Sequence, residues 1–211
     1  MTPDSILTGI AEFFIKGGPF MVLLVLLSVL SLTAALLRAW KLRESQILPS
    51  QVVDAVEALK PGDTLESLYH AMEDHPSATS RILGTLLSHL NWPKSENLEA
   101  VQTRARHELA RMEKGLMILE MTAGAGPLIG LLGTLSGLVG IFAALGGAGD
   151  PVVVARGISE ALNTTIAGLA VAVPSLIAHS YFLRRIEMQA VTMESVAAEL
   201  LAKLYQPASH R

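Results

Sequence analysis

The chain contains no cysteine, so neither a disulfide framework nor a thiolate site is possible. Aromatic residues are few: two Trp, three Tyr and five Phe in 211 residues. The formal net charge is only −3, and no basic excess points to nucleic acid. The six histidines show no metal-ligand spacing; His70 and His75 sit in a polar stretch and read as solvated surface. There is no phosphate loop, no nucleophile motif and no alternation that would argue for strands. What the chain does have is apolar residues, 51% of the total, gathered into three blocks. That distribution marks an all-α integral membrane protein.

Residues 1–18 read as an N-terminal amphipathic helix. Thr2 caps it, Pro3 suits its first position, and Ile6, Leu7, Ile10, Phe13 and Phe14 share one face. Such a helix lies in the membrane interface, with Gly17-Gly18 as its end. Asp4 and Glu12, with Lys16 the single base, argue against a cleaved signal peptide. Residues 19–37 are the first span, uncharged and with little small-residue patterning, which predicts a lipid-facing helix. Arg38, Lys41 and Arg43 follow as a stop-transfer signal.

Residues 38–115 are polar and predict a small helical domain. Pro61-Gly62-Asp63 and Asn91-Trp92-Pro93 punctuate it as turns. Three apolar stripes lie around them: Val52, Val53, Val56 and Leu59; Leu65, Leu68 and Met72; Ile82, Leu83, Leu86, Leu87 and Leu90. From Leu98 through Val101, Ala105, Leu109, Met112 and Leu116 to Leu119 the steps are three and four. That spacing predicts one helix from about Glu96 through the second span, residues 116–145, roughly 75 Å long. Residues 146–151 form a turn and 152–183 the third span. After Arg184-Arg185, helical spacing continues through Ile186, Ala190, Met193, Ala197, Leu200 and Leu204 into a C-terminal helix and tail, 184–211. Ten bases flank the spans on one side, and only Lys16 and Arg156 lie on the other. The N-terminus is therefore expected outside and the C-terminus inside.

The second and third spans hold the chemistry. Gly126, Gly130, Gly133, Gly137 and Gly140 recur at four, three, four, three, a seam of average period 3.5 that suits left-handed helix packing. Each glycine costs about 1 kcal/mol against alanine in a helix, so another backbone must come close. The partner is either the third span of the same chain alone, or an identical subunit with or without that span in addition, and the second is the expectation. Pro127 and Pro174 each free a backbone carbonyl, at Ala123 and Ala170, and set kinks. Glu160 is the one acid inside the apolar runs, and an intramembrane acid is a functional candidate. The alternative is a local ion pair with Arg156, one turn earlier. Thr134, Thr164 and Thr165 would complete a polar track with it. On a straight helix Thr164 lies about 40° from Glu160 and Thr165 about 140° away, which favours Thr164 on geometry alone.

The strings GPLIGLLGTLSGLVGIF and GISEALNTTIAGLAVAVPSLIA resemble the core of the MotA/TolQ/ExbB proton-channel family, nearest its ExbB and TolQ branches. The resemblance covers roughly Gly124 to Tyr181. It implies a homopentamer of three-span subunits in the bacterial inner membrane, with the N-terminus periplasmic. It further implies a single-span ExbD- or TolR-like partner carrying an intramembrane aspartate, and a TonB- or TolA-like protein that receives the work. By motif position Glu160 resembles the family's pore glutamate, and Thr134 and Thr165 its pore threonines. No cofactor is implied; protons are the coupling ion, and no enzymatic reaction is expected. Arg156 stands where the family string has proline. A TonB-type uptake motor is the expectation, with a Tol-type envelope motor as the alternative within the family. A flagellar stator fits less well, given three spans and a small cytoplasmic domain. A passive membrane scaffold is the alternative of another class.

Overall fold

The computed structural model describes residues 18–60, 62–144 and 151–205. The N-terminal amphipathic stretch, most of the 146–151 turn and the end of the tail lie outside them. Among the described residues every element is helical. They are α1 (Gly18–Lys41), α2 (Glu44–Ile47), α3 (Ser50–Ala58), α4 (Glu66–Asp74), α5 (Ala78–Ser88), α6 (Lys94–Glu113), α7 (Met117–Ala144) and α8 (Pro151–Leu204). Three of them, α1, α7 and α8, are long and apolar enough to cross a membrane. The chain divides into two compact units, Met1–Leu37 with Leu116–Ser180, and Arg38–Gly115 with Tyr181–Arg211.

The first unit holds α1, α7 and the N-terminal part of α8. Much of its apolar surface faces outward: Val22, Leu26, Val29 and Leu36 on α1, Leu128, Leu135 and Phe142 on α7, Ile166, Val173 and Ile177 on α8. Exposed apolar surface of this extent is what acyl chains cover. Many of the inward residues are small or polar. On α1 they include Met21, Leu24, Ser31 and Ala34, with Ser28 and Ala35 half-buried beside them. The first span therefore carries a small-residue face that its leucine-rich composition hides. Ser31 and Ser175 hydroxyls meet at 2.6 Å on that face, both buried.

The second unit holds α2 to α6 and the C-terminal part of α8. α5 packs on α6 and on α2, and α3 packs on α4. The expected stripes form its core: Val52, Val56, Leu59, Leu68, Ile82, Leu83, Leu86 and Leu87 are buried, as are Ile186, Met193, Ala197 and Leu200. Ser77 caps α5, accepting from the Ser80 N–H at 3.0 Å. Gly62 closes a turn at φ +93, a conformation open to glycine and strained for other residues. Lys203, near the end of α8, donates to the carbonyls of Val56 and Glu57 at the end of α3, both at 2.8 Å. A cation at a helix C-terminus satisfies orphan carbonyls and complements the dipole.

α6 departs from its apolar stripe. Leu98 is 39% exposed, while Asn97 and Glu108 are fully buried. Glu108 accepts two hydrogen bonds from Arg81 on α5, at 2.9 and 2.7 Å, and pairs with Arg104 at 2.9 Å. The hydrogen bonds from Arg81 hold the Glu108 carboxyl below its ordinary range, overriding the effect of its burial. Asn97 donates to Leu86 O and to the Tyr205 hydroxyl, both at 3.0 Å.

The predicted helix from Glu96 to Leu145 is two helices. α6 ends at Glu113 and α7 begins at Met117, with a turn at 114–116. Two causes act there. Gly115 is a weak helix former, and the Arg38 guanidinium occupies the space a side chain at 115 would need. Arg38 also donates to Met112 O at 2.9 Å, a carbonyl that an unbroken helix would pair with the N–H of Leu116.

Candidate proton-pathway site

The glycine seam of α7 packs on α8 of the same chain. A Cβ placed on Gly126 would stand 3.0 Å from Gly168 O, one on Gly130 would stand 2.9 Å from Thr164 O, and one on Gly137 2.9 Å from the Ala161 Cβ. On Gly133 it would collide with the Thr164 methyl. Contacts that descend α8 while ascending α7 make the two helices antiparallel. Four of the five seam glycines thus pack on α8 of the same chain. Gly140 meets nothing within 4 Å. Sequence reasoning misses the matching residues on α8. Ala161, Thr165, Gly168, Ala172 and Ser175 step four, three, four, three, as the glycines do. That repeat is the available signal, obscured because only one of the five is glycine.

This close approach brings two hydroxyls together. Thr134 Oγ1 and Thr165 Oγ1 form a short hydrogen bond across the α7–α8 contact. Both also lie 3.2 Å from Gly130 O, and Thr134 lies 3.0 Å from Ala161 O. Each hydroxyl has one proton to give. If Thr165 donates to Gly130 O, Thr134 donates to Thr165. If Thr134 donates to Ala161 O, Thr165 donates to Thr134. The pair therefore has two complete hydrogen-bond arrangements, which differ in the direction of the central bond and in the carbonyl that accepts the other proton.

Thr164 is buried at 2% exposure, with its methyl against Gly133. Glu160 sits on the next turn toward Pro151. Its carboxylate pairs with Arg156 at 3.3 Å, the side chains being 35% and 72% exposed. The structure thus joins Thr134 to Thr165 directly and reaches Glu160 only through the backbone, by way of the neighbouring Ala161 carbonyl. Pro127 and Pro174 lie inside α7 and α8 without ending either helix. Among the described residues no group of three or more His, Cys, Asp or Glu is placed to hold a metal.

Residues 74–195 match the model of the MotA/TolQ/ExbB proton channel family. The chain belongs to that family. It is 37% identical over 195 residues to an ExbB-like biopolymer transport protein of Synechocystis, covering 88% of this chain and 74% of that one. It is 32% identical over 180 residues to an ExbB homolog of Methanothermobacter thermautotrophicus, covering 84% of this chain and 64% of the other. A biopolymer transport protein exbB1 of Vibrio cholerae is 32% identical over 127 residues, or 59% of this chain and 55% of its own length. Membership makes the three apolar helices transmembrane helices of a proton-channel family protein, and the relatives named above are all ExbB or ExbB-like proteins. The matched stretch contains the whole α7–α8 contact.

Proposed function

We propose that the chain is the channel-forming subunit of a proton-driven motor in the bacterial inner membrane. Five copies would line the pore and surround the span of an ExbD-like partner with an intramembrane aspartate. Work would pass to a TonB-type protein that drives outer-membrane transport. The observation that carries this reading is the Thr134–Thr165 pair. Its two alternative hydrogen-bond arrangements suit a group that hands on a proton, and Thr165 lies five residues along α8 from Glu160, the acid of the third span. The N-terminus is proposed to be periplasmic and the C-terminus cytoplasmic. A cysteine at Ser88 should resist an impermeant maleimide added outside, and one at Gly147 should react. The opposite labelling would reverse the proton direction.

The test of function is iron-chelate uptake in cells lacking their own copy, with recovery of the complex as control. Thr134→Val and Thr165→Val should assemble and fail to energise uptake. Normal uptake in both would count against the pair as part of the route. The Arg156–Glu160 ion pair favours a second reading at that residue, a local structural pair in a passive scaffold. Under it, no threonine or Glu160 variant that assembles would alter proton flux.

A further inference from the structure

The contact between α1 and α8 contains a cleft, apart from the threonine pair, with three serines in an otherwise largely apolar wall. It is lined by Ser28, Ser31 and Ala35 of α1 and by Ala170, Pro174 and Ser175 of α8, among others, and its volume is about 160 Å³. Ser175 lies ten residues along α8 from Thr165, or about 15 Å. Both Ser31 and Ser175 are at least 95% buried, at 5% and 3% exposure.

Three features give this cleft a demand for hydrogen bonds. When Ser175 Oγ donates its single proton to Val171 O, at 2.8 Å, Ser31 is the donor in the 2.6 Å contact between the two hydroxyls. The lone pairs of Ser31 then remain without a protein donor among the described residues. Pro174 has no N–H for Ala170 O, and both of those residues line the cleft. No side chain among the described residues donates to that carbonyl, because the nearby Ser175 proton is spent on Val171. Ser28 adds a third hydroxyl at the wall. Within a membrane such groups must be met by protein or by water. A water molecule takes about 30 Å³ in the liquid and needs two to four polar partners. Space and partners are both present.

We propose that this cleft is a water-binding site within the membrane, holding a small number of molecules that bridge Ser31, Ser28 and the Ala170 carbonyl. The water would satisfy the proline-freed carbonyl and keep the first and third spans in register through Ser31 and Ser175. The site is independent of the proton route proposed above.

The test exploits the absence of native cysteine. Methanethiosulfonate reagents attack thiolates, and a thiol in apolar surroundings stays protonated. Ser28→Cys, Ser31→Cys and Ser175→Cys are each placed in the full chain, in native membranes, and modified with methanethiosulfonate ethylammonium. Leu30→Cys and Leu176→Cys, one residue from the serines and both 55% exposed on the outer face, are the controls at matched depth. Cleft cysteines should react at least about tenfold faster than these controls, as ionised thiols do. Ala178→Leu, which fills the cleft, should abolish the reactivity of Ser28→Cys. Rates equal to the lipid-facing controls, or reactivity of Ser28→Cys unaffected by Ala178→Leu, would overturn the proposal. The Ser28 hydroxyl has no hydrogen-bond partner among the described residues, so its variant remains informative if the buried pair does not tolerate cysteine.

Discussion

Gly130 and Gly168 face each other across the α7–α8 contact, and a Cβ added to Gly168 would stand 3.1 Å from the Gly130 Cα. Their neighbours, the Thr134 and Thr165 hydroxyls, meet because the two backbones come this near. The glycine seam and the hydroxyl pair are one arrangement: the first sets the spacing that the second needs.

Glycine-to-alanine substitutions should therefore sort by position. Gly130→Ala places a methyl against the Thr164 carbonyl, which cannot move without the helix. Overpacking of about 1–3 kcal/mol should outweigh the roughly 1 kcal/mol gained in helix propensity. Gly140→Ala meets nothing within 4 Å and should be neutral or slightly stabilising. Thermal unfolding in detergent, followed by circular dichroism, measures both. Equal effects at the two positions would contradict the intramolecular seam.

Much of this architecture is legible in the amino-acid sequence. Three apolar runs identify the spans, and a period of 3.5 in five glycines identifies a close contact. The partner of that contact is not legible, since a helix shows its own small face and not what lies against it. For the same reason the α1 face of Ser28, Ser31 and Ala35 escapes notice among leucines. The break at 114–116 depends on Arg38, which is distant in the chain, and reads locally as one more glycine in a helical pattern. Asn97 and Glu108 displace Leu98 from the α6 core because Tyr205 and Arg81 supply partners that spacing cannot reveal. At the site, the family motif points to Thr134 and Thr165, while geometry on a straight helix favours Thr164. In the structure Thr165 reaches Thr134 and Thr164 packs on Gly133.

Glu108 should make the second unit acid-sensitive. Its folded pKa lies below the ordinary 4.5, chiefly through the hydrogen bonds from Arg81. A carboxylate of this kind adds stability that is fully present above the unfolded pKa and is lost as pH falls through the folded one. Unfolding temperature should therefore drop as pH is lowered from about 4.5, and Glu108→Gln should flatten that slope. The variant should also lose about 1–3 kcal/mol at neutral pH, toward the low end because both arginines keep water. A slope unchanged in Glu108→Gln would assign the acid sensitivity to other groups.

Arg156 and Glu160 separate a functional acid from a structural pair. If the pair is only structural, Glu160→Ala should be rescued by Arg156→Ala, because the orphaned charge is removed with it. If Glu160 serves the proton route, the double variant should assemble and still fail to energise uptake. Iron-chelate uptake normalised to recovered complex distinguishes the two.

Proton flux through the complex with its single-span partner, reconstituted in liposomes carrying a pH-sensitive dye, addresses the central claim. Thr134→Val and Thr165→Val preserve shape and remove the hydroxyls, at a stability cost of about 1 kcal/mol each or less. A route through the pair predicts flux in the native complex and its loss in both variants at equal reconstitution. Flux at the native level in the Thr134→Val/Thr165→Val double variant would contradict a proton route through these two hydroxyls.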